Sequence, residues 1–214
     1  LENTYRQVNI ALVNELAQVS SALGIDLWDS IEAAGTKPFG FQRFFPGTGV
    51  GGHCIPIDPM YLESHVAEKL GSGLKFIRLA QEINSDMPRF VVERASQILL
   101  SRGVSPQDAK VLVLGLTYKD NVADMRNSPN LEVFSRALDA FGEVMYHDPF
   151  QPDVRLHRGI YRRSSDWISN ARESDLVILA QAHSPYSIAS LQETNALILN
   201  CTSKHAELGN QVRL

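Results

Sequence analysis

The spacing of apolar residues changes near residue 104, and this change limits the folds open to the chain. Upstream, apolar residues recur at helical spacing, most clearly over residues 5–23 and 74–101. Downstream, the run KVLVLGL at residues 110–116 is short and rich in β-branched side chains, as buried parallel strands are. We therefore predict an all-helical domain, residues 1–103, followed by a doubly wound, parallel-sheet, Rossmann-like α/β domain, residues 104–214.

The helical domain is predicted to hold several helices and one long loop. Asp26 is placed to cap a short second helix, which Gly35 ends. Residues 36–53 are rich in Gly, Pro and Phe without any period, which predicts a long loop of the kind that usually carries function. Helix resumes at Pro59. Near the end of the domain Pro88 removes an amide donor, so the last helix is expected to be kinked or split there.

The α/β domain is predicted from alternating strand and helix patterns. Ser128 and Pro129 mark a helix start, as N-cap and first-turn residue. This alternation is typical of a parallel sheet with helices packed on it. Further strands are predicted at 144–146, weakly at 160–161, at 176–180 and at 197–200, with helices near 166–171 and from Tyr186.

Charge and composition exclude several classes of protein. A net charge of −4, from 20 basic and 24 acidic residues spread along the chain, offers no basic surface for nucleic acid. No apolar run approaches the roughly 20 residues that a membrane span needs. Two cysteines far apart in the chain suit a reducing cytoplasm better than a disulfide framework. Six histidines show no metal-ligand spacing, so no metal site is predicted.

The glycine-rich segment PGTGVGGHCIPIDP, residues 46–59, concentrates the candidate chemistry. Gly47, Gly49 and Gly52 have the spacing of a dinucleotide fingerprint, but an aperiodic loop rather than a strand precedes them, so we reject that interpretation. Glycines at these positions instead give a backbone that can approach a ligand closely.

Cys54 and Asp58 follow these glycines, four residues apart. Cys54 lies one turn before a predicted helix start, where the helix dipole stabilises a thiolate. Asp58 followed by Pro59 has the pattern of a helix N-cap and first residue, so capping and a catalytic role both stay open for Asp58.

Three segments of the chain, ENTYRQVNIALVNE, PGTGVGGHCIPIDP and LGLTYKDNVADMRNSP, together resemble the UDP-glucose/GDP-mannose dehydrogenase family. The resemblance covers essentially the whole chain and implies the family's central helical domain and its nucleotide-sugar-binding domain. The family's N-terminal domain, which holds NAD, would precede Leu1, so we expect that domain to be absent. His53 before the cysteine and Ile55-Pro56 after it are similar to the branch that oxidises UDP-N-acetylhexosamines.

The resemblance implies roles for individual residues. It makes Cys54 the nucleophile and Asp58 the group that assists water activation. Asn3 would stabilise an oxyanion together with a lysine located before Leu1, and Arg126 would reach NAD. The substrate-binding residues that it implies are Phe45, Gly47, Gly49, Gly51, Tyr118 and Lys119.

The implied activity is an NAD-dependent four-electron oxidation. The C6 alcohol of a UDP-N-acetylhexosamine would become a carboxylate through a thiohemiacetal and a thioester on the cysteine, and the product would serve surface polysaccharide synthesis. Two alternatives stay open: UDP-glucose or GDP-mannose as the substrate, or a non-catalytic nucleotide-sugar-binding or dimerisation module. The long apolar helices also predict a homodimer through the helical domain.

Overall fold

A computed structural model describes residues 1–157, 159–164, 166–204 and 208–214. The predicted order, a helical part followed by an α/β part, is confirmed. The helical part contains α1 (Glu2–Leu23), α2 (Leu27–Ala34), α3 (Asp58–Leu70) and α4 (Lys75–Ser101). The α/β part contains β1 (Lys110–Leu114), α5 (Pro129–Ala140), β2 (Glu143–His147), β3 (Asp153–Leu156), β4 (Gly159–Arg162), α6 (Trp167–Glu173), β5 (Leu176–Leu179), α7 (Ile188–Thr194), β6 (Ile198–Asn200) and β7 (Gln211–Arg213).

Five parallel strands form the main sheet in the order β2-β1-β5-β6-β7. Successive side chains of a strand point to opposite faces, so the buried run of β1 contributes to two cores. Val111 and Val113 pack with α4 and α5 on one face, whereas Leu112 and Leu114 pack with α6 and α7 on the other. The predicted doubly wound sheet is therefore confirmed.

Two short strands lie outside this sheet. β4 covers the weak strand predicted at residues 160–161, but it pairs antiparallel with β3 and does not join the parallel sheet. That part of the predicted alternation is wrong. Near the C-terminus, β7 adds an edge strand to the main sheet. The sequence did not predict this strand, because three half-buried residues are too few to show a period.

Helix α4 continues through Pro88 as one helix, so the predicted split does not occur. Met87 and Pro88 are both buried, and packing of this face stabilises the helix despite the lost amide. From Met87 to Leu99 the buried face of α4 belongs to the same apolar core as β1, β5 and α5. The division of the chain at residue 103 stays a prediction, since α4 packs against α1 as well as against the sheet.

A smaller core lies between α1 and α2. Val13 and Ala17 of α1 pack against Leu27 and Ile31 of α2. Asp26 caps α2 as predicted, accepting hydrogen bonds from the amides of Trp28 and Asp29. In the part of the chain that the structure describes, no helix is long and apolar enough to cross a membrane.

Candidate functional site

A cavity of about 270 Å³ opens at the carboxyl ends of the central strands. From β1 the chain crosses to β2 on one side, and β5 and β6 follow on the other, so β1 and β5 flank the point where the strand order reverses. Ligands of open α/β sheets bind in the crevice at this point. Ala180 and Gln181, directly after β5, line the cavity, and four of the predicted substrate-binding residues face them: Gly47, Gly49, Gly51 and Tyr118.

Two buried asparagine side chains of the helical part hold the glycine-rich loop at this cavity. The amide of Gly47 donates to Asn14 Oδ1 at 2.9 Å, and Asn14 Nδ2 donates to Asn84 Oδ1 at 2.9 Å. Neither Asn14 nor Asn84 is more than 4% exposed. The loop therefore begins from a fixed point on α1 and α4.

Gly49 lies directly against the backbone of α4. Its φ of +127° is one that residues with a Cβ rarely adopt, and an added Cβ would lie 2.7 Å from the Asn84 carbonyl oxygen. Pro88, four residues after Asn84, has no amide hydrogen to bond this carbonyl. The proline in α4 thus leaves a carbonyl that the loop backbone approaches, and only glycine fits there.

The loop between β1 and α5 covers the end of the glycine-rich segment. The Tyr118 ring rests on Gly52, where an added Cβ would lie 2.8 Å from the ring. The Gly52 amide donates to the Arg126 carbonyl at 3.0 Å, and Asn127 Nδ2 donates to the Gly52 carbonyl at 3.1 Å. These contacts fix the backbone two residues before Cys54.

Cys54 is exposed just before α3. Its carbonyl accepts hydrogen bonds from the amides of Ile57 and Asp58, at 3.2 and 2.8 Å, in the turn that leads into the helix. The backbone of Cys54 therefore leads directly into the N-terminal turn of α3.

Asp58 is the first residue of α3 and does not cap it. Ile57 occupies the cap position, and no side chain caps this helix. The Asp58 carboxylate instead accepts a hydrogen bond from Asn3 Nδ2 at 2.7 Å. The interpretation of Asp58 as an N-cap is wrong, because a residue 55 positions upstream on α1 uses the carboxylate. The structure brings two of the three predicted catalytic residues into direct contact.

Arg126 carries an exposed cation on the loop between β1 and α5. Its guanidinium donates to both carboxylate oxygens of Asp124, and this hydrogen bonding lowers the pKa of Asp124 to about 2. The same hydrogen bond, followed by charge interactions with Asp124, Tyr118 and Cys54, raises the pKa of Arg126 above its ordinary value. Arg126 is therefore positively charged and within electrostatic range of Cys54.

Two predicted substrate-binding residues do not line the cavity. Phe45 stacks on Trp28 of α2, with ring centroids 5.1 Å apart and planes 19° from parallel. Lys119 is exposed, one residue beyond Tyr118, and its carbonyl accepts a hydrogen bond from the Thr117 hydroxyl. Phe45 thus packs against the helical part, and Lys119 faces solvent.

Several polar residues at the site were not found from the sequence. The Thr48 hydroxyl lies 2.5 Å from Asn130 Oδ1, and Asn130 Nδ2 donates to the Thr117 carbonyl at 2.7 Å. Beside the cavity, Lys204 pairs with Asp120 at 2.6 Å, and its hydrogen bond lowers the pKa of Asp120. Since each contact joins residues more than 80 positions apart, or a side chain to a loop backbone, no local pattern reveals it.

The second cysteine differs from Cys54, and the described histidines form no metal-binding group. Cys201 is 3% exposed, and burial raises the pKa of its thiol, as expected for a structural residue. Within the described ranges, no group of three or more His, Cys, Asp or Glu side chains could hold a metal ion. His205, one of the six histidines, lies outside the described residues.

Comparison with known proteins adds information that geometry alone does not provide. Residues 1–86 match the central domain of the UDP-glucose/GDP-mannose dehydrogenase family, and residues 112–204 match the UDP binding domain of that family. A UDP-N-acetyl-D-mannosamine dehydrogenase of Methanocaldococcus jannaschii is 40% identical over 87% of this chain and 40% of that protein. A UDP-N-acetyl-D-glucosamine 6-dehydrogenase of Pseudomonas aeruginosa is 36% identical over 87% of the chain and 43% of that protein.

Solved structures agree with these similarities. The chain superimposes on a UDP-D-ManNAc dehydrogenase of Pyrococcus horikoshii with a TM-score of 0.80 and 29% identity, covering 99% of this chain and 49% of that one. The chain thus spans less than half the length of the relatives that it matches.

Proposed function

The chain belongs to the UDP-glucose/GDP-mannose dehydrogenase family, and from this we propose that it supplies the nucleotide-sugar site and the nucleophile of an NAD-dependent UDP-N-acetylhexosamine 6-dehydrogenase. The substrate's C6 alcohol is oxidised to a carboxylate, which gives a uronic acid suited to surface polysaccharide synthesis. The preference for an N-acetylhexosamine is supported by two relatives whose names specify N-acetylmannosamine and N-acetylglucosamine.

The observation that carries this proposal is the continuity between the cavity and Cys54. Gly47, Gly49 and Gly51 line the cavity, and the same loop reaches Cys54 three residues later. Tyr118 and Asn127 hold the intervening Gly52. A nucleotide bound at the sheet edge would therefore direct its sugar along the loop toward the thiol.

Cys54 explains how one site oxidises an alcohol twice without releasing an aldehyde. The thiolate sulfur forms a bond to C6 of the aldehyde, and the carbonyl oxygen becomes the oxyanion of a thiohemiacetal. Once this carbon is oxidised to a thioester, water attacks it, the C–S bond breaks and the carboxylate leaves. The second oxidation and the hydrolysis thus take place on the enzyme.

Asn3 and Asp58 support this chemistry as a pair. An amide nitrogen carries two hydrogens, so Asn3 can donate one to Asp58 and the other to the oxyanion. Oxyanion donors of this kind are worth about 3–4 kcal/mol of barrier. The Asp58 carboxylate, oriented by Asn3, takes the proton from the attacking water.

Each of the two oxidations releases one hydride, which a separate NAD molecule would accept. In this chain Arg126 fits a role beside it, because the guanidinium is exposed and the Arg126 carbonyl binds the amide of Gly52, two residues before Cys54. A cation of this kind pairs with phosphate oxygens and orients the group that carries them.

The test is a count of NADH formed by the full-length protein per molecule of sugar nucleotide supplied. We expect two NADH per UDP-N-acetylhexosamine and none with Cys54→Ala, which should still bind UDP. Turnover restricted to UDP-glucose or GDP-mannose would overturn the proposed substrate. UDP binding without turnover of any of these compounds would leave a binding module.

We also propose that the chain forms a homodimer through α1 and α4. Four apolar side chains at helical spacing on α1 are between 42% and 67% exposed: Leu12, Leu16, Val19 and Leu23. α4, which packs along α1, exposes Phe76 and Leu79. Apolar surface of this extent is typical of protein interfaces.

Sedimentation at micromolar concentration tests this assembly. We expect a dimer for the unmodified chain and a monomer for Leu16→Lys. Leu70→Lys, at a more exposed leucine of α3 outside the apolar stripe, should stay dimeric. A monomeric unmodified chain would contradict the proposal.

A further inference from the structure

A buried acid–histidine pair lies beneath the loop that carries Tyr118 and Arg126. Asp148, directly after β2, and His183, after β5, are no more than 1% exposed. Asp148 Oδ2 lies 3.1 Å from His183 Nε2. Neither residue lines the cavity, so the pair does not contact a ligand bound there.

The hydrogen bonds around His183 fix which ring nitrogen carries the proton. The backbone amide of Asn121 donates to Nδ1 at 2.9 Å, and because an amide can only donate, Nδ1 is the acceptor. In the neutral ring the hydrogen is therefore on Nε2, which faces Asp148 Oδ2 and the Thr117 hydroxyl, each 3.1 Å away.

Asp148 holds the start of the same loop. Its Oδ2 accepts hydrogen bonds from the amides of Leu116 and Thr117 at 2.7 and 3.1 Å. Burial by itself raises the pKa of Asp148, but hydrogen bonds from His183 and from the amides of Phe150 and Leu116 lower it overall, so the carboxylate is charged. A charged acceptor makes these bonds stronger than neutral ones.

We propose that His183 is a positioning residue for the nucleotide-sugar site. It holds the loop at Asn121 while Asp148 holds it at Leu116 and Thr117, and Tyr118 lies between these two anchors. Asn121 adopts a φ of +57°, and its side-chain oxygen accepts hydrogen bonds from the amide and hydroxyl of Ser184. The loop thus folds around the imidazole ring and presents Tyr118 to the glycine-rich segment.

In this inference, only the identity of the ligand rests on the proposed function. The arrangement resembles the acid–histidine pair of hydrolases, but both ring nitrogens are used within the protein and the ring is 1% exposed. Proton exchange with a substrate would require an accessible nitrogen. His183 acts through the loop and is not a catalytic residue.

Two substitutions at His183 separate its two hydrogen bonds. Asn places its side-chain oxygen near the position of Nδ1, so His183→Asn keeps the acceptor for the Asn121 amide and loses the donor to Asp148. Gln extends to the position of Nε2, so His183→Gln keeps the contact with Asp148 and loses the acceptor for Asn121. Both substitutions remove the ring, so they share the cost of lost packing.

The measurements are amide hydrogen exchange of Asn121 and the Kd of the chain for UDP. We expect His183→Gln to speed exchange at Asn121 and to weaken UDP binding, each about tenfold more than His183→Asn does, the usual effect of one lost hydrogen bond. Equal effects of Asn and Gln would reduce His183 to a packing residue and overturn the proposal, as would unchanged exchange in His183→Gln. Failure of the unmodified chain to bind UDP would count against the proposed function, while the exchange result would still decide the role of His183.

Discussion

The hydrogen bond between Thr48 and Asn130 joins the glycine-rich loop to the α/β part, and its removal should destabilise the chain measurably. The Thr48 hydroxyl lies 2.5 Å from Asn130 Oδ1, and the residues are 6% and 2% exposed. Thr48→Val removes the hydroxyl at nearly constant shape and leaves that oxygen buried without its donor, a change that costs about 1–3 kcal/mol. For a chain of this size, a loss of about 2 kcal/mol lowers Tm by about 4–8 °C.

Thermal unfolding of a set of variants tests this expectation. Thr36→Val is the matched control, because Thr36 is exposed and its hydroxyl bonds only a neighbouring carbonyl, so its loss should stay below about 0.5 kcal/mol. Asn130→Leu, combined with Thr48→Val, completes a double-mutant cycle with an expected coupling energy of about 1 kcal/mol. Equal melting temperatures for Thr48→Val and Thr36→Val, or strictly additive effects in the cycle, would refute the reasoning.

Three further predictions concern the catalytic pair, the loop and the half-buried His147. Asp58→Asn keeps an acceptor for Asn3 but cannot take a proton, so kcat of the full-length protein should fall by about 100-fold or more, and unchanged kcat would remove Asp58 from the mechanism. Gly49→Ala should destabilise the chain by at least about 2 kcal/mol in urea unfolding, because the added Cβ would contact a backbone carbonyl. Gly71→Ala, at a glycine that also has positive φ but faces open space, should cost only about 1 kcal/mol. Burial lowers the pKa of His147 in the folded chain to about 4, whereas the pKa of an unfolded histidine is about 6.5. As the pH decreases from about 6.5 to 4, the unfolded chain therefore binds a proton that the folded chain does not, and the free energy of unfolding decreases. His147→Asn should abolish about 1–2 kcal/mol of this fall, a value reduced for the partial exposure of the ring, and parallel pH profiles of urea unfolding would contradict it.

Much of the fold could be predicted because its strands and helices show their own periods. The apolar run of β1 is buried on both faces, so its sequence lacks alternation and indicates a parallel strand. Asp26 and Gly35 bound α2 as predicted, since capping depends on local chemistry. These features can be predicted from neighbouring residues alone.

Two of the incorrect expectations involved contacts with distant residues. The local pattern at Asp58 is that of a cap, but the carboxylate pairs with Asn3 on another helix. Pro88 predicts a kink or a split, and burial of this face keeps α4 unsplit. Local propensity is overridden wherever tertiary packing supplies more free energy than the local preference.

The candidate site was predicted in part for the same reason. Cys54 and the glycines form one contiguous segment, so they could be recognised together. Thr48, Asn130 and His183 were not, because each acquires its role only through a partner that folding brings near. A buried polar residue has to be paired, but the sequence does not show which partner pairs it.

The shared core of α4 determines where this protein could be recombined with its relatives. A chimera joined near residue 103 would keep the native helix but place it on a foreign sheet, and the apolar face from Met87 to Leu99 would meet side chains that did not evolve with it. Interiors are packed too densely for such mismatches to be neutral. A junction before Met87 would transfer the second half of α4 together with the strands that it covers. Chimeras joined there should fold, whereas chimeras joined near residue 103 should not.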